Sequence, residues 1–392
     1  MVVGQFSQDV DILVIGGGPA GYTAAFRAAE LGKTVAIVDP NTTLGGECLH
    51  HACIPSKSAL LAVNTVTAVA TLTKGLEQRC KALGVERLHG LAHFENKKTA
   101  QITGEVVSVV KFRKAIIASG TQTRSSDAFP NAIQVEDAYC ANFKNNNILI
   151  VGNTPSAIES ATYLATINTV SIWADGDILP TFDKQLVKII KRGLTICKDA
   201  PSPENYDIVV LAGHRLPQTN SLQLENANVD CKDGFITINK SCITSNPKIY
   251  AVGECVGCEY SAAFAIAQGR VAGESACGLD SQLDVSFVPK IAWTNPEIAQ
   301  VGNFDDETIS VRWGNSGLAV ALGQQNGITL LGYEKESQAI TGVGIVGTGA
   351  PEMISEGVLA LEMGATLYDL ATTIRPHPTR SEMLSEAARS AL

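Results

Sequence analysis

From Asp9 the chain is built of blocks: DVDILVIGGGPAGYTAAFRAAELGKTVAIVD is an apolar run, a glycine cluster, an alanine-rich helical stretch, and a second apolar run closing on Asp39. Apolar runs bounded by turns suit strands buried on both faces, and a helix between two of them makes one βαβ unit of about 30 residues. The same order returns at Asn147, in NNILIVGNTPSAIESATYLATINTVSIWA. Two such units predict a parallel-sheet α/β protein that handles two nucleotides. The stretches VVSVVKFRKAIIASG and KIYAVGEC, each ending in a glycine turn, would complete the first sheet. From Phe287 the pattern changes. GITLLGYEKESQAITGVGIVG alternates like half-buried strands, and one long helix is expected from Pro351 towards Thr373, with Ile354, Val358, Leu361 and Leu370 at helical spacing. The expected architecture is α/β, with two Rossmann-like domains and a C-terminal α+β domain. Residues 1–143 and 214–286 would form the first domain, 144–213 a shortened second, and 287–392 the third.

Composition narrows the class. The 392 residues suit two to three domains of about 100–200 residues each. Hydrophobic residues make up 45% and charged ones 18%, below the rough quarter of an average chain, which excludes intrinsic disorder. A net charge of −9 without a Lys/Arg cluster repels a phosphate backbone, so no nucleic-acid partner is expected. No stretch approaches the roughly 18 apolar residues of a membrane span, and MVVGQFSQDV lacks the basic start and apolar run of an export signal. A cytoplasmic protein without a membrane partner is expected. Ten cysteines are too few for a disulfide scaffold, and most, such as Cys197, Cys231 and Cys277, are expected as buried small hydrophobes.

Three places carry candidate chemistry. Gly16, Gly18 and Gly21 spell GxGxxG: the first makes the strand-to-helix turn, the second lets a pyrophosphate reach the helix amides, and the third permits close packing. Asp39 follows where a ribose hydroxyl needs an acceptor. Cys48 and Cys53, in GGECLHHACIPSK, are five apart, too distant on a regular helix for the ~4.4–6.8 Å that a disulfide wants between Cα atoms. A bridge would need a distorted first turn, with Pro55 at the helix start. Zinc is also open, since His50 and His51 lie between the thiols, although four ligands in six residues do not match the separated pairs of structural zinc sites. Free thiols remain a third state. Cys255 and Cys258 form a further CxxC, read as packing residues.

GGECLHHACIPSK beside GxGxxG resembles the pyridine nucleotide-disulfide oxidoreductases, and CLxxxCIPSK their dihydrolipoamide dehydrogenase branch. The resemblance continues through Ala118–Ser119–Gly120, YAVGECVG with AAFAIAQGR, FVPKIAWTNPEIAQVG, PEMISEGVLALEMGATLYDLATTI and HPTRSE. It implies FAD, held by Gly16, Gly18, Gly21, Asp39, Gly46, Glu47, Lys57, Ala92, Gly120, Glu254 and the segment Tyr260, Ser261, Ala262 and Ala263. It implies a redox disulfide between Cys48 and Cys53, no metal, and NAD in the second unit, touching Gly152 and Gly213. Lys57 would pair with Glu159 beside the flavin. His377, oriented by Glu382, would take the substrate thiol's proton across a homodimer. Thiols titrate near ~8.5 and imidazole near ~6.5, so the transfer is feasible at neutral pH. The substrate implied is a dithiol or disulfide, above all lipoamide on a carrier protein.

Each residue has a plainer use. Lys57 could be a surface chain, Glu159 and Glu254 solvated acids, and Glu382 half of a capping box with Thr379. Mercuric reductases carry extra C-terminal cysteines, absent after Cys277, and the basic residues expected of an NADPH-binding glutathione reductase are not visible. The second unit departs most. Its motif reads Gly152, Thr154, Ala157, with Thr154 where the pyrophosphate should approach, and Trp173 and Ala174 stand where an acid is usual, with Asp175 slightly late. Only about 25 residues separate Pro180 from YDIVVLAGHR, where the resemblance leads one to expect a β-meander, and the stretch between Leu61 and Gly90 is short as well. A flavin-binding protein with an impaired nicotinamide site is the rival reading.

Overall fold

The computed structural model describes residues 6–104, 108–139, 141, 143–213, 215–257 and 261–392. The chain divides into two compact units, residues 1–124 with 214–284 and residues 125–213 with 285–392.

In the first unit β1 (Phe6–Ile15), α1 (Pro19–Glu30) and β2 (Val35–Asp39) form the expected βαβ unit. All five residues of β2 are buried, as a strand covered on both faces requires. Three helices follow, α2 (Gly46–His50), α3 (Cys53–Leu60) and α4 (Thr65–Leu83). Then come β3 (Glu86–His89), β4 (Leu91–Asn96), β5 (Thr99–Thr103), β6 (Ser108–Ile117) and β7 (Thr121–Thr123). β1 pairs in parallel with both β2 and β6, which sets the glycine turn among strand C-termini.

The chain then builds part of the second unit: β8 (Ile133–Gln134), α5 (Val135–Ala138), β9 (Asn147–Val151), α6 (Pro155–Leu164), β10 (Thr169–Trp173), α7 (Lys184–Ile190) and β11 (Ile208–Leu211). These strands form a parallel sheet in the order β10-β9-β11-β8. Pairing of β8 with β11 takes residues 125–143 into this unit, so its boundary falls earlier than the expected 143/144. Between β10 and β11 the only strand-like pairing among the described residues is an isolated bridge, Ile172 to Ile196.

Returning to the first unit, the chain forms β12 (Arg215–Pro217), β13 (Cys231–Lys232), β14 (Phe235–Ile236), β15 (Ile249–Ala251) and α8 (Ala262–Ala276). β15 pairs with β6 and completes a seven-stranded sheet. Gly269 lets α8 approach α1, because a Cβ there would stand 2.3 Å from the Ala20 carbonyl oxygen. The expectation that Cys197, Cys231 and Cys277 are buried does not hold. Cys231 is exposed on a two-residue hairpin strand, and the other two are half-buried.

The second unit ends with β16 (Lys290–Ala292), β17 (Ile298–Gly302), β18 (Glu307–Arg312), α9 (Gly317–Ala321), β19 (Ile328–Tyr333), β20 (Ile340–Val346), α10 (Ala350–Glu362), α11 (Leu367–Thr372) and α12 (Glu382–Ala391). The strands form an antiparallel sheet in the order β16-β17-β20-β19-β18. The single long helix expected after Pro351 is two. Gly364 turns with φ +63, and a reciprocal capping box between Thr366 and Asp369 starts α11. Among the described residues no helix is long and apolar enough to cross a membrane.

Candidate active site

The glycine turn separates packing glycines from an open one. A Cβ on Gly16 would stand 2.2 Å from the Ala118 carbonyl oxygen, and one on Gly21 would stand 1.9 Å from that of Gly16. These two are dictated by how closely α1 sits on its sheet. Gly18 has an ordinary φ of −74, and its Cβ would meet only the Gly46 Cα, at 3.9 Å. Gly46 itself has φ +56 and would place a Cβ 2.7 Å from Gly18. α1 has no side-chain cap, so its first-turn amides and the positive end of its dipole face the open space over Gly18.

At the end of β2 the Asp39 carboxylate accepts from the Gly17 and Asn41 amides and is 9% exposed. Beside it opens a cavity of about 160 Å³ lined by Ile37, Asp39, Asn41, Leu44 and the β3 segment Arg87 to His89. The parallel register that sets His89 opposite Asp39 brings that segment in. Ala92 has its methyl in the sheet core, 5% exposed and clustered with Phe94 and Phe112, so a cofactor would meet it through its backbone.

α2 and α3 would run on as one helix but for His51 (φ −131, ψ −27) and Ala52 (φ −115, ψ −90). That break lets residues five apart meet: Cys48 and Cys53 are thiols joined by a side-chain hydrogen bond. Pro55 is the third residue of α3, where its missing N–H breaks no helical bond. The Cys48 thiol is held well above the ordinary range, first by its bond to Cys53, then by burial; the Lys57 ammonium opposes the shift and Glu254 adds to it. Cys53 opens α3, where the first-turn amides give the helix its positive end. Tyr22 of α1 is raised too, by burial and then by both sulfurs. His50 Nε2 lies 3.0 Å from the Leu44 carbonyl oxygen and 3.2 Å from Thr43 Oγ1. Among the described residues no three His, Cys, Asp or Glu side chains are grouped to hold a metal.

A charged cluster adjoins the thiols. Glu47 precedes Cys48 on α2, and Arg215 donates to it through Nη2. The same guanidinium donates from Nε to Thr121 Oγ1 at 2.7 Å and lies 3.3 Å from Glu254 Oε2, to which Thr121 also donates. The Arg215 side chain is 11% exposed. Glu254 is therefore a held acceptor and not a solvated turn acid. Gly120 (φ +71) leads into this pair of short strands, with open space beside it. Ser261 caps α8 by accepting from the Phe264 amide, ahead of Ala262 and Ala263. Tyr260 and Cys258 lie outside the described residues.

Lys57 Nζ donates to Ser56 Oγ at 3.2 Å. In the second unit Glu159 is buried, 6% exposed, and accepts from the Trp293 amide at 2.8 Å, so it is not a solvated helix residue. Gly152 (φ +149) keeps the tight turn, its Cβ direction blocked by the Ala212 carbonyl oxygen at 2.1 Å, and Gly213 follows at the end of β11. The next motif position is Thr154, whose side chain caps α6.

His377 is 76% exposed in its side chain, with Nδ1 2.8 Å from Glu382 Oε1. The other carboxylate oxygen accepts from the Thr379 amide at 2.8 Å. Thr379 donates its hydroxyl to the Pro376 carbonyl, and α12 begins at Glu382 itself, so the expected reciprocal capping box is not formed. The Thr379 amide, then His377, pull the Glu382 carboxyl below its usual range.

The uncapped cradle at Gly18, the fixed Asp39 acceptor and the held Glu254 carboxylate fit the pyrophosphate, ribose and ribityl hydroxyls of FAD. The second turn fits a dinucleotide less well, because Thr154 fills the place of a glycine.

Residues 10–196 and 196–275 match the family described as pyridine nucleotide-disulphide oxidoreductase, and residues 288–388 match its dimerisation domain. A dihydrolipoyl dehydrogenase of Geobacillus stearothermophilus is 32% identical over 462 positions, covering 100% of this chain and 98% of its own length. Since 392 residues span 462 positions, 70 positions of that relative have no counterpart here. A dihydrolipoyl dehydrogenase of Vibrio cholerae is 30% identical over 450 positions, covering 96% of this chain and 94% of its own. Among solved structures, the Cu(II) complex of the HOCl-induced flavoprotein disulfide reductase RclA from Escherichia coli superposes with a TM-score of 0.90 at 20% identity, covering 98% of this chain and 99% of that one. At that identity the likeness concerns the fold.

Proposed function

The chain belongs to the pyridine nucleotide-disulphide oxidoreductases, flavoproteins that use FAD and NAD(H), and from that membership we propose that it is a dihydrolipoyl dehydrogenase. The observation that carries the reading is the broken helix that puts the Cys48 and Cys53 thiols in contact. The division of labour belongs to the proposal: residues 1–124 and 214–284 for the flavin, 125–213 for the nicotinamide nucleotide, and 287–392 for a homodimer interface. So do a cytoplasmic location and a lipoyl carrier as partner.

In the oxidised enzyme Cys48 and Cys53 form a disulfide. His377 of one protomer accepts the proton of a substrate thiol through Nε2, while Glu382 holds its Nδ1 side. The substrate thiolate bonds to Cys48 Sγ, the S–S bond breaks, and Cys53 leaves as a thiolate at the start of α3. The second substrate thiol then closes the substrate's own disulfide and releases Cys48. Two electrons and two protons have left the dithiol. Bound FAD supplies the acceptor for that electron pair. Lys57 and Glu159 would steady the charge that develops beside it.

The test is the anaerobic absorbance spectrum after one equivalent of dihydrolipoamide. A new long-wavelength thiolate-to-flavin band is expected, and it should be absent in Cys53→Ser. A protein that retains FAD and shows no band would overturn the reading. Thr154 favours one rival, a flavoprotein without a complete cycle. In that case NAD⁺ added after the dithiol would fail to discharge the band.

A further inference from the structure

Of the three glycine positions in the two nucleotide turns, only the second gains a functional group, Thr154 for Gly18, while Asn153 and Ser156 stand for Gly17 and Ala20 between them. In α1 the N-cap is Gly18, without a side-chain acceptor. In α6 it is Thr154, whose hydroxyl accepts from the Ala157 amide at 3.3 Å and donates to the Ala212 carbonyl oxygen at 2.9 Å. Both helices open on proline, Pro19 and Pro155, so neither offers an amide at its first position. What remains for an anion is the next pair of amides: Ala20 and Gly21 in α1, Ser156 and Ala157 in α6. Thr154 occupies one of the second pair. Its turn is braced as well, because the Leu179 amide donates to the Asn153 carbonyl at 2.9 Å and Asn153 Nδ2 donates to the Asp177 carbonyl at 3.1 Å. Rotating the hydroxyl away would free the amide but strip the Ala212 carbonyl of that donor.

We infer that Thr154 is a specificity-determining residue: by capping α6 itself it competes with the pyrophosphate of the nicotinamide dinucleotide and loosens the second unit's hold on that cofactor. The inference rests on reading residues 125–213 as the nicotinamide unit. Its effect is on cofactor affinity, with the flavin turn left intact as an internal reference. Glycine is accepted at an N-cap at little cost, so the position can be opened without undoing the helix.

The experiment titrates NAD⁺ into the full-length, FAD-loaded, oxidised protein by calorimetry, for the wild type and for Thr154→Gly, Thr154→Ala and Thr154→Ser. Flavin content and melting temperature check that each variant is folded. Thr154→Gly is expected to tighten NAD⁺ by about tenfold, as the gain of one charge-assisted hydrogen bond would give. Thr154→Ala should tighten it by a smaller factor, and Thr154→Ser, which keeps the hydroxyl, should stay close to wild type. Unchanged affinity in both Thr154→Gly and Thr154→Ala overturns the inference. So does a Thr154→Ser variant that gains as much as Thr154→Gly, since bulk rather than capping would then be responsible. If folded, FAD-loaded wild type and all three variants show no NAD⁺ binding, the nicotinamide reading of the unit itself fails, and the inference falls with it.

Discussion

Arg215→Met removes a guanidinium that serves two acids and keeps most of the apolar stem that packs. Deleting one partner of a fully buried ion pair costs about 3–5 kcal/mol, because the other charge is left unpaired. Here the arginine is 11% exposed, but Glu47 and Glu254 are 33% and 32% exposed, so water partly screens the stranded carboxylates. Allowing for that screening, a loss of about 1–3 kcal/mol is expected. Urea unfolding followed by far-ultraviolet circular dichroism, at one fixed FAD concentration, measures it. The sharper arm adds Glu47→Gln and Glu254→Gln to the Arg215→Met chain. With no anion left to strand, at least half of the lost stability should return. A loss below about 0.5 kcal/mol, within the ordinary range of surface substitutions, would refute the reasoning. So would a glutamine background that returns nothing.

Other substitutions separate packing from chemistry. Gly21→Ala would drive a Cβ to 1.9 Å from the Gly16 carbonyl oxygen and should abolish folded, flavin-loaded protein. Gly18→Ala should fold normally but hold FAD at least about tenfold more weakly; flavin retention equal to wild type would contradict the assigned role. Glu382→Gln keeps an acceptor for the Thr379 amide but loses the carboxylate at His377, so turnover should fall at least about tenfold with melting unchanged. Unchanged turnover would leave Glu382 a purely structural residue. Because its carboxyl is lowered, its support of the fold is whole above the usual carboxylate value near ~4.3 and fades only as pH drops below it. For Cys48 the sign is opposite: its native value is raised, so the associated stability is whole below the unfolded thiol value near ~8.5 and declines as pH rises past it. The dithiol form should therefore lose stability above about pH 8.5 relative to the disulfide form. In Cys53→Ala the Cys48 thiol should titrate lower by ultraviolet thiolate absorbance, and an unshifted titration would show that Cys53 is not the main cause.

What could be read from the letters alone was local. The GxGxxG turn, the cysteine pair and the His377–Glu382 contact each lie within a few residues, so spacing carries their geometry. The Arg215 cluster is not local: Arg215 meets Glu47 across 168 positions and Thr121 meets Glu254 across 133. No periodicity links such residues: the pairing of β7 with β12 brings Arg215 to Thr121, and α2 and the turn after β15 bring Glu47 and Glu254 to them. Tyr22 and the Arg87–His89 segment were missed for the same reason. Gly364 and the Thr366–Asp369 box mark the break between α10 and α11 in the letters themselves, although the apolar spacing runs through it. The two-residue strand β8 is too short to leave any pattern, so the unit boundary could not be placed from it.

The antiparallel pairing of β7 with β12 has a consequence for how such a chain changes length. Residues 125–213 depart after Thr123 and return at Arg215, and those two residues face each other in register. For the first unit the whole excursion is a loop with its ends clamped one strand spacing apart, about 4.8 Å. Closing such a loop costs only about 0.6 kcal/mol more for each doubling of its length. Hosted sequence can be trimmed, extended or exchanged there without shifting the register of the strands that carry the glycine turn or the helices that carry the thiols. The hairpin acts as a docking port in the gene as much as in the protein, leaving residues 125–213 free to diverge while the glycine turn and the thiols are kept.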